Sequence, residues 1–437
     1  MDHSLLDLIN KRRLDPCLGI CSVCSANEYV LEAAMERGVE TGRAVLIEAT
    51  ANQVNQFGGY TGMRPADFVS FVVRIAQKTG LPSDRLILGG DHLGPLVWQT
   101  EAETGAMQKA AELVREYVLA GFTKIHIDTS MRLLGDDPNE RLDDGVIARR
   151  SATLIRAAEE AFRERGLAHS GAVPVYVIGS EVPVPGGSPQ NEESVLVTDV
   201  REFEAMLSVF SSVFEAEGLG DAFGRVVGVV VQPGVEFADD SLVEYDRQKA
   251  RPLIDALRRY PGIVLEGHST DYQTRVRLRE MVEDGIAILK VGPALTFALR
   301  EALFALADIE SDVLCGSAAK LSDFKNVLEA AMLSNKGHWA RYYNGSEMEK
   351  RLKRKYSFSD RCRYYLPEQS VSQATSRLIE NINTHRIPLS VVDQYMPIQY
   401  RRIRNGFLRM DARELIKDHI KDCLDDYLYA TGGFRSQ

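Results

Sequence analysis

Apolar residues gather into eight short runs along the chain, separated by longer stretches of helical periodicity. The runs are Cys17–Cys24, Ala44–Ala49, Leu86–Gly90, Lys124–Asp128, Val173–Gly179, Val226–Gln232, Ile263–Gly267 and Ala287–Val291. Most are near-continuously apolar, VVGVVVQ and IAILKVG above all, as expected of parallel strands covered on both faces. Between them, Asn27–Gly38, Ala66–Thr79, Glu101–Ala120, Val146–Arg165 and Val200–Glu217 read as amphipathic helices, several followed by glycine or proline. Strand–helix alternation repeated eight times predicts an α/β fold, a closed (β/α)8 TIM-type barrel over residues 1–308, with an open doubly wound sheet as the alternative. After about Ile309 the pattern turns helical, tyrosine-rich and locally basic (RYYNGSEMEKRLKRKYSFSDRCRYY). This predicts a helical C-terminal extension, residues 309–437, packed on the barrel where it could cap the mouth or mediate assembly.

Composition narrows the classes. The chain has 437 residues, 45% hydrophobic and 26% charged, ordinary for a globular enzyme. A net charge of -10 argues against general nucleic-acid binding. No apolar run reaches the ~18 residues a membrane span needs. The opening MDHSLLDLINKRR reads as a short amphipathic helix and not as a signal peptide. Six unevenly placed cysteines fit reduced thiols in the cytoplasm, and a homo-oligomer is expected.

Barrels of this type place their chemistry at the C-terminal strand ends. Read that way, strand 2 delivers Glu48 and the amide-rich loop Ala51–Gly59, strand 3 Asp91 and His92, and strand 4 Asp128. Strand 5 delivers Glu181, strand 6 Gln232, strand 7 Glu266, His268 and Asp271, and strand 8 Lys290. Ionised groups resist burial unless paired, hydrogen-bonded or bound to metal, so this concentration predicts a functional site. Taken singly, each has a plainer reading: Glu48 capping a turn, Asp128 pairing with Lys290. His92, His268 and Glu181 form a candidate metal site of two imidazoles and one carboxylate, and Asp91 a candidate proton shuttle. The amides of Asn52, Asn55 and Gln56 suit sugar hydroxyls. Ser269, Gly292 and nearby backbone amides sit where barrels often hold phosphate.

Two rival chemistries compete at these strands. Cys17, Cys21 and Cys24 spell the CxxxCxxC of a radical-SAM iron–sulfur site, but they lie within a strand and alternation splits them between its faces. Lys290 as a Schiff-base lysine competes with ion pairing to Asp128 and with binding of a substrate phosphate or hydroxyl. No GxxxxGK[ST] phosphate loop occurs, and GLGDAFG near residue 218 precedes a strand instead of following one.

The strings GICSVCSA, LIEATANQVNQFGGYTGM, GGDHLGP, KIHIDTSM, EVPVPGG, VVQPGVEF, HSTDYQT and ILKVGPALTFALREALFALA resemble the GatZ/KbaZ family, and the likeness continues through SFSDRCRYY and PLSVVDQYMP. The family is in turn distantly similar to class II aldolases, which are zinc-dependent barrels. That resemblance implies Asp91 as catalytic aspartate and His92 as metal ligand, with the later ligands near Glu181 and His268. A carboxylate at Glu181 in place of an imidazole favours a harder ion than zinc, so zinc, manganese and magnesium all stay open. The resemblance implies two functions. One is an accessory subunit that stabilises a class II aldolase subunit acting on tagatose 1,6-bisphosphate. The other is an isomerase, a ketose-phosphate 4-epimerase interconverting D-tagatose 6-phosphate and D-fructose 6-phosphate in hexitol catabolism. The acid/base residues favour the enzyme, by a retro-aldol route with Asp91 or Asp128 as base and Glu48 or Glu181 opposite; Gln232, Asp271 and Lys290 join the substrate-binding candidates.

Overall fold

A computed structural model describes residues 3–137, 139–166, 172–180 and 195–433. The eight apolar runs form eight parallel strands: β1 Ile20–Cys24, β2 Val45–Thr50, β3 Leu86–Leu93, β4 Lys124–Ile127, β5 Val175–Ile178, β6 Val226–Val231, β7 Val264–Gly267 and β8 Ile286–Val291. Each pairs with its sequence neighbour and β8 closes on β1, so the sheet is a barrel and not the open alternative. The first strand is shorter than its apolar stretch predicts, because Cys17 lies ahead of it.

Among the described residues each strand is followed by a helix, from Glu28–Thr41 to Pro293–Leu314, and the fifth by a short second one, Gly220–Phe223. Side chains that cap helix starts mark several of them. Asp143 accepts the Gly145 N–H at 2.9 Å and Asp199 the Arg201 N–H at 2.8 Å, meeting donors that a helix start leaves unpaired. The eighth helix runs past residue 308 to Leu314.

Alternation along each strand separates two cores. Outward side chains meet the helices. Inward side chains of the lower barrel (Ile20, Leu46, Ile87, Val175, Val264, Ile288) form a separate apolar cluster with Leu5 and Ile9. Those two belong to the amphipathic N-terminal helix Ser4–Arg12, which plugs the lower end.

His3 caps this plug. Its buried Nδ1 accepts the Leu5 N–H at 3.0 Å, and burial lowers its pKa to about 4. The unfolded chain, titrating near ~6.5, takes up a proton that the folded one refuses. The stability His3 contributes is therefore complete above pH ~6.5 and is lost as pH falls toward 4, by up to ~3 kcal/mol. The Tm of the protein should fall more steeply from pH 7 to 4.5 than that of His3→Asn, which keeps a capping oxygen. Parallel curves would rule His3 out as the source.

The C-terminal extension is helical, as its pattern predicts, and ends in the long helix Ala412–Ala430. That helix is tied to the first barrel helix by Arg37–Asp425 (2.8 Å), Lys417–Glu36 (2.5 Å) and Lys421–Glu40 (3.0 Å). Among the described residues, no helix is long and apolar enough to cross a membrane.

Candidate active site

The upper half of the barrel interior is charged. Lys124, on β4, is fully buried and lies between Glu48 of β2 (2.5 Å) and Glu266 of β7 (2.6 Å). Glycine makes room for this: a Cβ on Gly89 would come within 2.6 Å of Glu48 Oε1 and 2.7 Å of its Cγ. Above it, Lys290 of β8 pairs closely with Asp91 and stands 3.5 Å from Glu48. Asp91 also accepts from His126 Nδ1 at 2.8 Å.

Three imidazoles converge over this layer. The ring centres of His92, His126 and His268 are 4.9–5.3 Å apart. Asp128 accepts from His92 Nδ1 at 2.9 Å and is itself oriented by the backbone N–H and hydroxyl of Ser130. Strands β3 and β4 meet closely here, since a Cβ on Gly94 would lie 1.7 Å from the Asp128 carbonyl oxygen. Glu266 Oε1 faces His268 Nε2 at 3.1 Å. His92 (φ 47°), Ser269 (φ 53°) and Tyr272 (φ 64°) all hold left-handed backbone at the barrel mouth, a strain that tends to collect at functional sites.

The electrostatics set protonation states. Burial would raise the Asp91 carboxyl, but His92, Lys290 and His126 outweigh it and hold the group well below its usual range. Lys290 is held well above the ordinary lysine value, since Asp91, Cys24 and Glu48 outweigh its burial. Burial lowers His126 despite Asp91, and burial together with Lys290 drives His268 well down. Both rings are thus neutral, as metal ligands must be.

The donor set fits a divalent cation. Ligand atoms of Asp91, His126, Glu266 and His268 lie within 4.8 Å of one another. His126 Nε2 is buried without a hydrogen-bond partner among the described residues. Four buried carboxylates (Glu48, Asp91, Asp128, Glu266) face two ammonium groups (Lys124, Lys290), an excess that a cation would neutralise.

Asp91, His92, His268 and Lys290 floor a cavity at the C-terminal strand ends, walled by Asn52 and Tyr60 from the loop after β2, Ser269 and Asp271 after β7, and Arg363 and Tyr364 from the C-terminal extension. The family model for the D-tagatose-1,6-bisphosphate aldolase subunit GatZ/KbaZ-like matches residues 5–432. The chain belongs to this family. Proteins of Salmonella agona and Klebsiella pneumoniae, each called D-tagatose-1,6-bisphosphate aldolase subunit GatZ, are 46% identical over 97% of this chain and 98% of theirs. A crystal structure from Sinorhizobium meliloti, called a probable tagatose 6 phosphate kinase, is 43% identical with a TM-score of 0.85, covering 94% of this chain and 100% of that one.

Within this GatZ/KbaZ-like fold the sequence-predicted residues part company. Asp91, His92, His268 and Lys290 meet at the cavity floor, and Asn52, Ser269, Asp271 and Gly292 line its wall. Glu48 and Asp128 lie beneath, engaged by Lys124 and His92. The partner of Lys290 is Asp91, not Asp128, which corrects the pairing read from the sequence. Glu181 lies outside the described residues.

Two amides predicted to bind sugar hold the loop in place instead. Asn55 donates to the Ala51 carbonyl (2.9 Å) and accepts from the Phe57 and Gly59 amides, while Gln56 donates to the Lys109 carbonyl. Gln232 likewise accepts from the Gly234 and Val235 amides. The expected phosphate site after β8 is also taken. Asp271 Oδ1 accepts the Gly292 and Ala294 N–H groups at 3.0 and 2.8 Å. Burial raises the Asp271 carboxyl to about 6 in spite of those bonds.

Cys24 faces the cavity and Cys21 a separate one outside the barrel. Facing different cavities, these two cysteines share no cluster site, and burial holds both thiols well above their ordinary range.

Sequence reasoning missed Lys124, His126 and Arg363. The first two were detectable, because alternation places Lys124, His126 and Asp128 on one face of β4.

Proposed function

We propose that the chain is a metal-dependent isomerase, interconverting D-tagatose 6-phosphate and D-fructose 6-phosphate by 4-epimerisation. The observation that carries this is a buried carboxylate at the cavity floor, Asp91, held ionised by Lys290 and His126 beside two neutral imidazoles, all supplied by this one chain.

The C4 hydrogen of a 2-ketose is not α to its carbonyl, so enolisation cannot remove it, whereas cleavage and re-formation of the C3–C4 bond can invert C4. Asp91 accepts the O4 proton as that bond breaks and returns it after the aldehyde has presented its other face. Lys290, at the cavity floor, balances the charge on Asp91 and lies where it can hydrogen-bond a ketose oxygen. Asp128 fixes the His92 ring through Nδ1, and Glu266 fixes His268. His126, His268 and Glu266 would hold a zinc, manganese or magnesium ion, with His92 and Glu181 as further donors. Such an ion, when bound, would supply Lewis-acid stabilisation of negative charge on the ketose oxygens. Asn52 and Ser269 offer donors and acceptors to hydroxyls.

The names of the relatives favour a second reading, a subunit supporting a class II aldolase on tagatose 1,6-bisphosphate. The kinase named for the Sinorhizobium protein finds no GxxxxGK[ST] loop in this chain. Purified alone with Mn²⁺, Zn²⁺ or Mg²⁺, the protein should interconvert the two ketose phosphates in a coupled assay, and EDTA should abolish the rate. No turnover alone, combined with stimulation of an added aldolase subunit, would establish the accessory role instead.

A further inference from the structure

The C-terminal extension brings one guanidinium to the cavity wall, and its neighbours explain how it is held there. Residues 357–365 lie across the barrel mouth. Ser357 donates to Asp239 at 2.8 Å, Tyr272 donates through its hydroxyl to the Phe358 carbonyl at 2.5 Å, and Arg300 pairs with the buried Asp360 at 3.2 Å. The Tyr343 hydroxyl accepts the Arg361 N–H at 3.2 Å. His338 stacks on Tyr364, which meets Tyr60 edge-on at 4.8 Å, so the segment is sewn to the loop after β2. Arg363 sits in the middle of this scaffold and lines the cavity.

Arginines nearby are engaged: Arg300 with Asp360, Arg354 with Glu329, Arg361 with the Tyr342 ring and the His338 carbonyl. Arg363 differs. Among the described residues its guanidinium has no carboxylate within ion-pairing distance; its neighbours are the phenol groups of Tyr364, ring centre 5.3 Å away, and Tyr60. Of the two carboxylates that act on it electrostatically, Asp360 pairs through Oδ1 with Arg300 and Asp271 Oδ1 accepts the Gly292 and Ala294 amides, and neither lies within ion-pairing distance of Arg363. A half-buried arginine without a counter-ion is costly unless an anion arrives.

We propose that Arg363 is the anion receptor of the cavity, taking the phosphate of a phosphorylated ketose and thereby selecting phosphorylated over free sugar. The inference rests on the epimerase reading for its substrate. It replaces the backbone amides after β8, which Asp271 fills, with a guanidinium from outside the barrel. The planar fork matches phosphate oxygens in pairs, and the site is complete only when the extension is docked.

The test compares wild type, Arg363→Gln and Arg363→Lys on tagatose 6-phosphate and on free tagatose, with binding of fructose 6-phosphate and of inorganic phosphate measured by calorimetry. Arg363→Gln should lower kcat/KM for the phosphorylated ketose roughly 100-fold and change that for free tagatose by less than about threefold. Arg363→Lys, keeping charge without the fork, should fall between, which also covers a glutamine variant that fails to fold. Equal losses on both sugars, or none, would overturn the assignment. If wild type turns over neither sugar, the epimerase reading fails while binding still decides this one. Phosphate and fructose 6-phosphate affinities that weaken in both variants uphold the anion site, and unchanged affinities overturn it.

Discussion

Asp91→Asn should reduce epimerase kcat by about three orders of magnitude, in the range lost when a general base is removed. The substitution is nearly isosteric, so shape is kept and chemistry is not. In the native site Asp91 is 1% exposed, accepts from His126 at 2.8 Å and pairs with Lys290. An amide cannot take the O4 proton, and its NH2 would face Lys290 or His126, both donors there. Lys290 would be left with Glu48 at 3.5 Å as its nearer carboxylate. The loss should therefore appear in kcat with little change in KM, together with a lower melting temperature. The coupled assay and a thermal melt check both; a kcat within threefold of wild type would remove Asp91 from the mechanism.

The largest effect on stability is expected from Lys124→Met. Lys124 is wholly buried and bridges two carboxylates that are also wholly buried. Removing one member of a buried charge network costs ~3–5 kcal/mol, because the remaining charges stay desolvated and unpaired. Glu48 and Glu266 would then repel each other across the barrel axis, and at least one would have to take up a proton. The denaturant midpoint should drop accordingly. Adding Glu48→Gln and Glu266→Gln should restore much of the loss, since neutral amides need no counter-ion. A single variant as stable as wild type would mean that the triad contributes no net stability. The same triad holds Glu266 in place against His268, so the single variant should also lose activity.

The barrel was legible because its signal is local. Each parallel strand is covered on both faces, so it must be apolar along its length, and the connecting helices carry their own periodicity, several with their own caps. Asp91, His92 and His268 were legible for a similar reason: a charged group at the end of an apolar strand bears a desolvation cost that pairing or chemistry must offset. The inward face of β4 was legible in principle, through alternation from Asp128 back to His126 and Lys124, but those two positions lie below the strand end, inside a run that reads as core.

Other features depended on contacts that adjacent residues do not announce. Asn55 and Gln56 have the amide chemistry of sugar ligands, yet side-chain amides in loops compete for backbone donors and acceptors, and these two are taken by Ala51, Phe57, Gly59 and Lys109. The amides after β8 suit phosphate until Asp271, 21 residues upstream of Gly292, folds onto them.

Taken by itself, the sequence determined the eightfold strand–helix order, the apolar covering of the barrel and the residue types that reach its upper rim, because pattern and periodicity are properties of neighbouring residues. Only the tertiary structure decided which charges meet. Lys290 reaches Asp91 and not Asp128, Lys124 lies between Glu48 and Glu266, and Arg363 arrives at the cavity 272 residues after Asp91 in the chain. Ion pairing depends on distance in space, and in a closed barrel the closing β1–β8 pairing and the docked extension set those distances.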